Sequence, residues 1–437
     1  MKKNELKKYD AYKPSGVEWL GDIPAHWEVF RFKTIVHFCN RGTTPDYVEN
    51  SNYKIINQAT FSKGYFDFET TKYTSERSIN KNFTKAKVKK NDVLLASTGG
   101  GVLGKVYHFH LNADNYYADS HVTIIRFTDY GLSRFIYYFL SINYALINGI
   151  LAQGSTNQTE LQKSWLDNLL ISLPPLSEQT VIVKFLDKQI VLINKAITLK
   201  EEQIALLKER RQAIIQQTVT KGLNPDVPVK DSGIDWIGYI PEHWEIIKNK
   251  TLFQERKERG NETLPLLSVS IHNAVSDEEL NEDENIRGKI RIEDKSQYKL
   301  VKPGDIVFNM MRAWQGGIGA VSRMGMVSPA YIVAKPLKAF NSIFWECQHR
   351  TDKFIQQMDR SSKGITDFRK RLYWDEFKQL FTALPPESEQ IEIVRYLSSL
   401  NEKINILVEK KLDEIQKLKE YKASLINNAV TGKIKVA

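Results

Sequence analysis

Cysteine is nearly absent: the 437 residues hold two, Cys39 and Cys347. Two thiols cannot build a disulfide framework or a cysteine-rich zinc site, and a reducing compartment is the simplest reading. No apolar run approaches the ~20 residues that a membrane-spanning helix needs. The opening MKKNELKKYD has charge but no apolar core, so no secretory signal is expected. A soluble, cytoplasmic protein without a membrane partner is predicted. Catalytic motifs are missing too. There is no G-x-x-x-x-G-K-S/T for a P-loop and no DPPY or NPPY of an amino-methyltransferase, for which LPPL and LPPE do not substitute. GGGVLG (99–104) fits G-x-G-x-x-G, but strand-like KVYHFHLNADNYY follows it, where a phosphate site needs a helix N-terminus. Its counterpart QGGIG (315–319) lacks the first glycine, so the stretch reads as a tight turn. His108, His110 and His121 read as strand-surface residues rather than metal ligands. His26-Trp27 and His243-Trp244 read as core packing. No nucleophile–base pair is defensible, and the chain is expected to hold no cofactor and no metal.

What is present is ordinary globular composition, 42% hydrophobic and 26% charged, enough for two or three domains. The formal charge of +10 favours a polyanionic partner. KNFTKAKVKK (81–90) and FRKRL (368–372) concentrate it, although one basic cluster is usually a solvated face.

The strongest feature is an internal repeat. SGVEWLGDIPAHWE begins at Ser15 and SGIDWIGYIPEHWE at Ser232, 217 residues later. LPPLSEQTVIVKFL begins at Leu173 and LPPESEQIEIVRYL at Leu384, 211 later, and that offset still holds where TVTKGL (Thr218) faces AVTGKI (Ala429). The order is block, helix, block, helix. The expected boundaries are 1–172 and 223–383 for the blocks, the second including the linker LNPDVPVKDSG (223–233), and 173–222 and 384–437 for the helices.

Each LPP segment reads as one long helix. The prolines forbid helix before them. Ser177 and Ser388 suit N-caps, and Glu178 and Glu389 suit the positive end of the helix dipole. About 40 residues without Gly or Pro follow, some 60 Å of helix, and Gly222 and Gly432 stand where stops belong. The apolar positions form a heptad seam: Leu186, Ile190, Ile193, Ile197, Ile204, Leu207 and Ile214 in the first copy, with Lys200 and Arg211 as polar members. Leu397, Ile404, Val408, Ile415, Leu418 and Leu425 form it in the second, with Asn401, Lys411 and Lys422. A seam needs a partner helix, and the nearest is the other copy.

The blocks are mixed. NDVLLAS (91–97), HVTIIRF (121–127), GDIVFNM (304–310) and PAYIVAK (329–335) read as strands. GLSRFIYYFLSINYALIN (131–148) and NSIFWECQHRTDKFIQQM (341–358) read as amphipathic helices at matching places. The fold class is therefore α+β: two similar mixed blocks joined by two long antiparallel coiled-coil helices, with pseudo-two-fold internal repetition. Two similar basic blocks on a long helical strut suit reading two half-sites on one duplex, whose turn repeats about every 34 Å.

The paired SGxxWxGxIPxHWE stretches and the two LPPxSEQ helices resemble the specificity subunit of type I restriction–modification enzymes, over the whole chain. The resemblance implies a non-catalytic DNA-recognition subunit. Each block would be a target-recognition domain reading one half of a split double-stranded DNA sequence. The helices would set the spacer and dock two methyltransferase subunits. Motor-endonuclease subunits would add cleavage, and S-adenosylmethionine, ATP and Mg would sit on those partners. Candidate readout residues come from loops before each LPP, QGSTNQTELQKS (153–164) and RSSKGITDFRKRL (360–372). They are Ser155, Thr156, Asn157 and Gln158, with Lys163 for phosphate, then Lys363, Thr366, Arg369, Lys370 and Arg371. Arg312 and Gln315, in a glycine-containing loop after a strand, join them. Arg on guanine and Asn or Gln on adenine match base-edge chemistry. The alternatives are a coiled-coil adaptor without readout, and a nuclease or methyltransferase in its own right. The donor-rich loops speak against the first and the missing motifs against the second.

Overall fold

The computed structural model describes residues 7–99, 101–142, 152–153, 160–234, 237–261, 263–277, 295–364 and 370–436. The chain forms two compact units, Met1–Lys200 with Asp413–Ala437, and Glu201–Leu412. Each unit thus takes one block and a part of both long helices. No helix among the described residues is long and apolar enough to cross a membrane.

The two units repeat one plan. The first centres on an antiparallel sheet ordered Phe38–Arg41, Val122–Arg126, Val93–Ala96, Val106–His108. The second has the same order in Phe253–Glu255, Tyr331–Pro336, Ile306–Asn309, Ile318–Ala320. All four residues of Val93–Ala96 are buried, which explains its unbroken apolar run. The first unit adds another sheet, ordered Tyr116–Ala118, Tyr53–Ile56, Lys72–Thr74, Tyr47–Val48. In both units a short hairpin carries the repeated tryptophan stretch: Tyr12–Pro14 with Asp22–Pro24, and Val229–Asp231 with Tyr239–Pro241. The strand after each His-Trp pairs with the strand that ends in Leu-Pro-Pro, so Glu28 faces Leu173 and Glu245 faces Leu384.

The long helices run Leu176–Lys221 and Glu387–Val430, 46 and 44 residues. Both begin one residue before the expected serine caps, so Ser177 and Ser388 lie inside the first turn. The cause is the following glutamine. Gln179 Nε2 donates to the Pro174 carbonyl and Gln390 Nε2 to that of Pro385, each at 2.9 Å, folding the first turn onto the prolines. Gly222 (φ +75°) and Gly432 (φ +72°) end the helices in the left-handed region. All thirteen apolar seam residues named above are buried or half-buried.

Within each unit the two helices lie side by side and antiparallel. In the first, Lys200 pairs with Glu414 and Lys422 Nζ donates to Asn194 Oδ1 at 2.9 Å. In the second, Arg211 Nη1 donates to Asn405 Oδ1 at 3.4 Å. Three of the five polar seam positions, Lys200, Arg211 and Lys422, are therefore partnered from the opposite helix, which fixes register.

The expected helix over 341–358 is two, Ser342–His349 and Asp352–Ser361. Thr351 takes an extended backbone (ψ 154°), and its hydroxyl donates to the Gln348 carbonyl at 2.7 Å, closing one helix as the next begins at Asp352. The other expected helix covers Tyr130–Ile142, and 143–148 lie outside the described residues. Trp27 and Trp244 are fully buried as expected, but His26 and His243 are not core residues. Their side chains are 50% and 45% exposed and reach the glutamate of the LPPxSEQ stretch in their own unit.

Candidate nucleic-acid interface

In the second unit the predicted residues come together. The chain entering the hairpin at Lys363 returns at Arg371 through mutual backbone hydrogen bonds of 2.8–2.9 Å. Leu372 N then donates to the Met310 carbonyl at 3.0 Å, which lays the returning arm beside the Met310–Gly317 loop. Lys370 Nζ sits 5.1 Å from the centre of the Trp314 ring. Arg312, Gln315, Lys363, Lys370 and Arg371 thus share one edge, while Thr366 and Arg369 lie outside the described residues.

Several of these side chains already have partners. Arg312 Nη1 donates to Gln315 Oε1 at 2.8 Å. Lys370 binds Asp359 at 2.7 Å, and Lys363, though well exposed, pairs with Glu376. Arg371 Nη1 donates to the Lys370 carbonyl at 2.8 Å. Arg312 and Gln315 hold each other's polar ends at the surface, a pair that can open toward base edges. Lys370 instead shapes the loop through Asp359 and Trp314.

Arg350 was not singled out by the sequence. Its guanidinium donates to five backbone carbonyls, Ser270, Ile271, His272, Gly316 and Ile318, at 2.9–3.5 Å. It ties the Arg312–Gln315 loop to the turn after Leu267–Ser270. Arg350→Ala should cost about 1.5–3 kcal/mol, since charged hydrogen bonds are lost, two of them to the buried Gly316 and Ile318. Arg350→Lys should recover only part, because an ammonium cannot fork to both loops. Urea midpoints and amide exchange over 310–318 will read both effects.

In the first unit, Ser155, Thr156, Asn157 and Gln158 lie outside the described residues. Lys163 opens the helix Lys163–Asn168 and binds Asp167 at 2.8 Å, which raises its pKa. The matching edge is nevertheless visible. Leu161 N donates to the Ser97 carbonyl at 2.9 Å, the contact that Leu372, 211 residues later, makes to Met310. Beside it lie the turn with Gly99, Gly101 and Gly104 all at positive φ, and then strand Val106–His108 rather than a helix. Arg41 binds the Ser120 carbonyl at 2.9 Å and pairs with Glu160. A side chain at Gly42 would strike the carbonyls of Ala118 and Asp119 at 2.1 and 2.3 Å, so only glycine admits this close packing. Asp119 accepts from the His121 amide, yet burial holds its carboxyl above the ordinary range. Exposed Tyr47 and Tyr65 carry Lys72 and Lys63 at 4.7 and 5.9 Å from their rings, and Phe68 is 59% exposed. Lysine interleaved with exposed aromatic rings suits phosphate contact and base stacking.

The three histidines do not converge. His121 meets Thr98, His110 meets Tyr107, and His108 is buried against Tyr130 and Tyr137. Among the described residues no group of three His, Cys, Asp or Glu could hold a metal ion.

The type I restriction modification DNA specificity domain matches residues 24–209. Over nearly the whole length, the chain is similar to the putative type I restriction enzyme MjaX specificity subunit of Methanocaldococcus jannaschii. The two are 23% identical over 435 residues, 95% of this chain and 96% of that one. The EcoBI specificity subunit of Escherichia coli is 28% identical over 295 residues, 61% of this chain and 58% of that one. In fold, the HsdS subunit from Thermoanaerobacter tengcongensis is similar with a TM-score of 0.51 at 13% identity, covering 94% of this chain and 98% of that one. A chain from a structure of complex assembly in a type I R-M system gives 0.64 at 13% identity, over 93% and 98%.

Proposed function

We infer that the chain is a specificity subunit of the type I restriction–modification kind, a non-catalytic recognition subunit. Each unit reads one half of a bipartite double-stranded DNA target. The paired helices set the spacer between the halves and dock two methyltransferase subunits. Motor-endonuclease subunits join that complex, and S-adenosylmethionine, ATP and Mg are bound by the partners.

The observation that carries this reading is the repeated edge. Both units place a loop after an equivalent sheet strand against the arm that returns toward Leu-Pro-Pro, with different side chains on the same scaffold. Loops that differ on a constant frame are what two different half-sites require. The docking role is supported by apolar side chains left off the seam. Val191 and Leu206 on the first helix and Ile406 on the second are 65%, 62% and 57% exposed. A partner surface laid along the helices would take these side chains out of water.

The ruler is tested by inserting four residues after Lys200, which lengthens that helix by about 6 Å, under two base-pair steps. Methylome sequencing of cells carrying the variant with its methyltransferase subunits should show a changed spacer between unchanged half-sites. An active enzyme with an unchanged spacer would remove the ruler role.

A further inference from the structure

The recurring His-Trp and Ser-Glu-Gln stretches meet in space. In the first unit Glu178 Oε2 lies 2.7 Å from His26 Nε2, and Trp27 Nε1 donates to Oε1 at 3.3 Å, joined there by the Tyr9 hydroxyl. In the second, Glu389 Oε2 lies 2.7 Å from His243 Nε2 and accepts from Trp244 Nε1 at 3.0 Å. Each clasp bridges a gap of about 150 residues in sequence, and each carboxylate is the third residue of its long helix.

The position of the clasp defines what it can do. The chain leaves the strand paired to the block, turns at Pro-Pro and enters the helix. A single covalent corner fixes where a helix starts but leaves its angle to softer contacts. The carboxylate supplies a second fixed point on the far side of that corner. The tryptophan is also where the end of the other helix lands. A side chain at Gly432 would sit 3.4 Å from Trp27 Cη2, and one at Gly222 3.6 Å from Trp244 Cζ2. One ring thus touches the start of one long helix and the finish of the other. The histidine is half-exposed, and an exposed pair of this kind adds little to stability. Its presence at the same place in both units points to geometry.

We propose that Glu178 and Glu389 are positioning residues. Through His26-Trp27 and His243-Trp244 they hold the angle between each block and the long helices, and so hold the spacer to one length without choosing the bases read. This rests on the helices acting as the ruler.

The test uses the full chain with its methyltransferase subunits and a duplex pool in which the natural half-sites flank spacers of different lengths. The His26→Ala/Trp27→Phe double variant keeps a buried ring and removes two of the three groups on the carboxylate, leaving the Tyr9 hydroxyl. The wild type should modify one spacer length. The variant should raise modification at spacers one base pair shorter and longer at least tenfold relative to the natural one, with half-site sequences unchanged. Glu178→Gln, which still offers an oxygen to Trp27, should spread less. The mirror variants at His243, Trp244 and Glu389 should behave alike. A variant that stays as strict as wild type, or loses half-site selectivity together with spacer selectivity, overturns the proposal. His26→Ala alone, at a half-exposed site, serves if the double variant does not fold. A wild type indifferent to spacer length overturns the ruler itself, and the clasp's role with it.

Discussion

Asp305→Ala should strongly destabilise the second unit while leaving the first as stable as before. Asp305 and Arg256 have side chains 1% and 4% exposed. The guanidinium forks onto the carboxylate, Nε to Oδ2 at 2.8 Å and Nη2 to Oδ1 at 3.0 Å, while the Lys302 amide donates to Oδ2 at 2.8 Å. Removing the acid leaves the buried guanidinium to the half-exposed Glu258 at 2.8 Å and reopens the turn before strand Ile306–Asn309. Breaking a buried pair from one side costs about 3–5 kcal/mol, a large part of the 5–15 kcal/mol that typically holds a domain. Amide exchange should therefore lose protection across 201–412 and keep it around Asp92. There the first unit repeats the device: Asp92 accepts from the Lys89 amide at 2.7 Å and pairs with Arg126 at 2.7 Å. Replacing Asp305 and Arg256 together by Leu and Met should cost less than Asp305→Ala alone, because no buried charge is left, and Glu258, which loses the arginine, is half-exposed to water. A single variant that costs under about 1 kcal/mol would show that the pair is solvated, contrary to its burial.

The contrast between those pairs shows what sequence can reveal. The aspartates sit at matching strand starts, in KKND and KPGD, and open the two strands read from the sequence as NDVLLAS and GDIVFNM. Their arginines were not, since one comes from the strand Val122–Arg126 and the other from just after Phe253–Glu255. Periodicity exposes faces, so the seams, the central strands and the repeat could be read directly. Side-chain partners drawn from distant segments leave no period. Glu178 looked like a helix-dipole residue because its histidine and tryptophan lie about 150 positions away. Arg350 looked like one more polar residue on a helix, because five carbonyls are not encoded by residue type. The Thr351-Asp352 break was a readable helix start, obscured by the apolar pattern running through it. At the candidate interface, the sequence named the Arg312 loop and the Lys363–Arg371 arm separately, and the fold brought them to one edge. That Lys370 is committed to Asp359 could be seen only in the fold.

The same repeat offset makes a prediction about half of the chain. The first unit is completed by Asp413–Ala437, from which Leu425, Ile426, Ala429, Val430 and Ile434 enter a core with Trp27, Leu186 and Ile193. A fragment of residues 1–222 lacks that segment and exposes the core. It also carries a substitute, because position by position 211 residues earlier stand Ile214, Ile215, Thr218 and Val219, with Gly222 in the left-handed conformation that Gly432 also adopts. A second copy can donate this end, and a two-fold pair satisfies both copies at once. In the register those contacts set, Ile197 of one copy faces Leu207 of the other, and Ile204 faces Lys200. The polar register carries over unevenly. Arg211 falls where Lys422 meets Asn194, so that contact is kept, but Gln203 falls where Glu414 pairs with Lys200, so that ion pair is lost. We expect a homodimer of micromolar affinity, about −8 kcal/mol. Gln203→Glu should tighten it by up to about 1 kcal/mol. With methyltransferase subunits it should direct methylation to an interrupted palindrome made of the first half-site and its reverse complement. Sedimentation measures the association and methylome sequencing the target. A folded fragment that stays monomeric at high concentration, even with those subunits present, would falsify the exchange of helix ends.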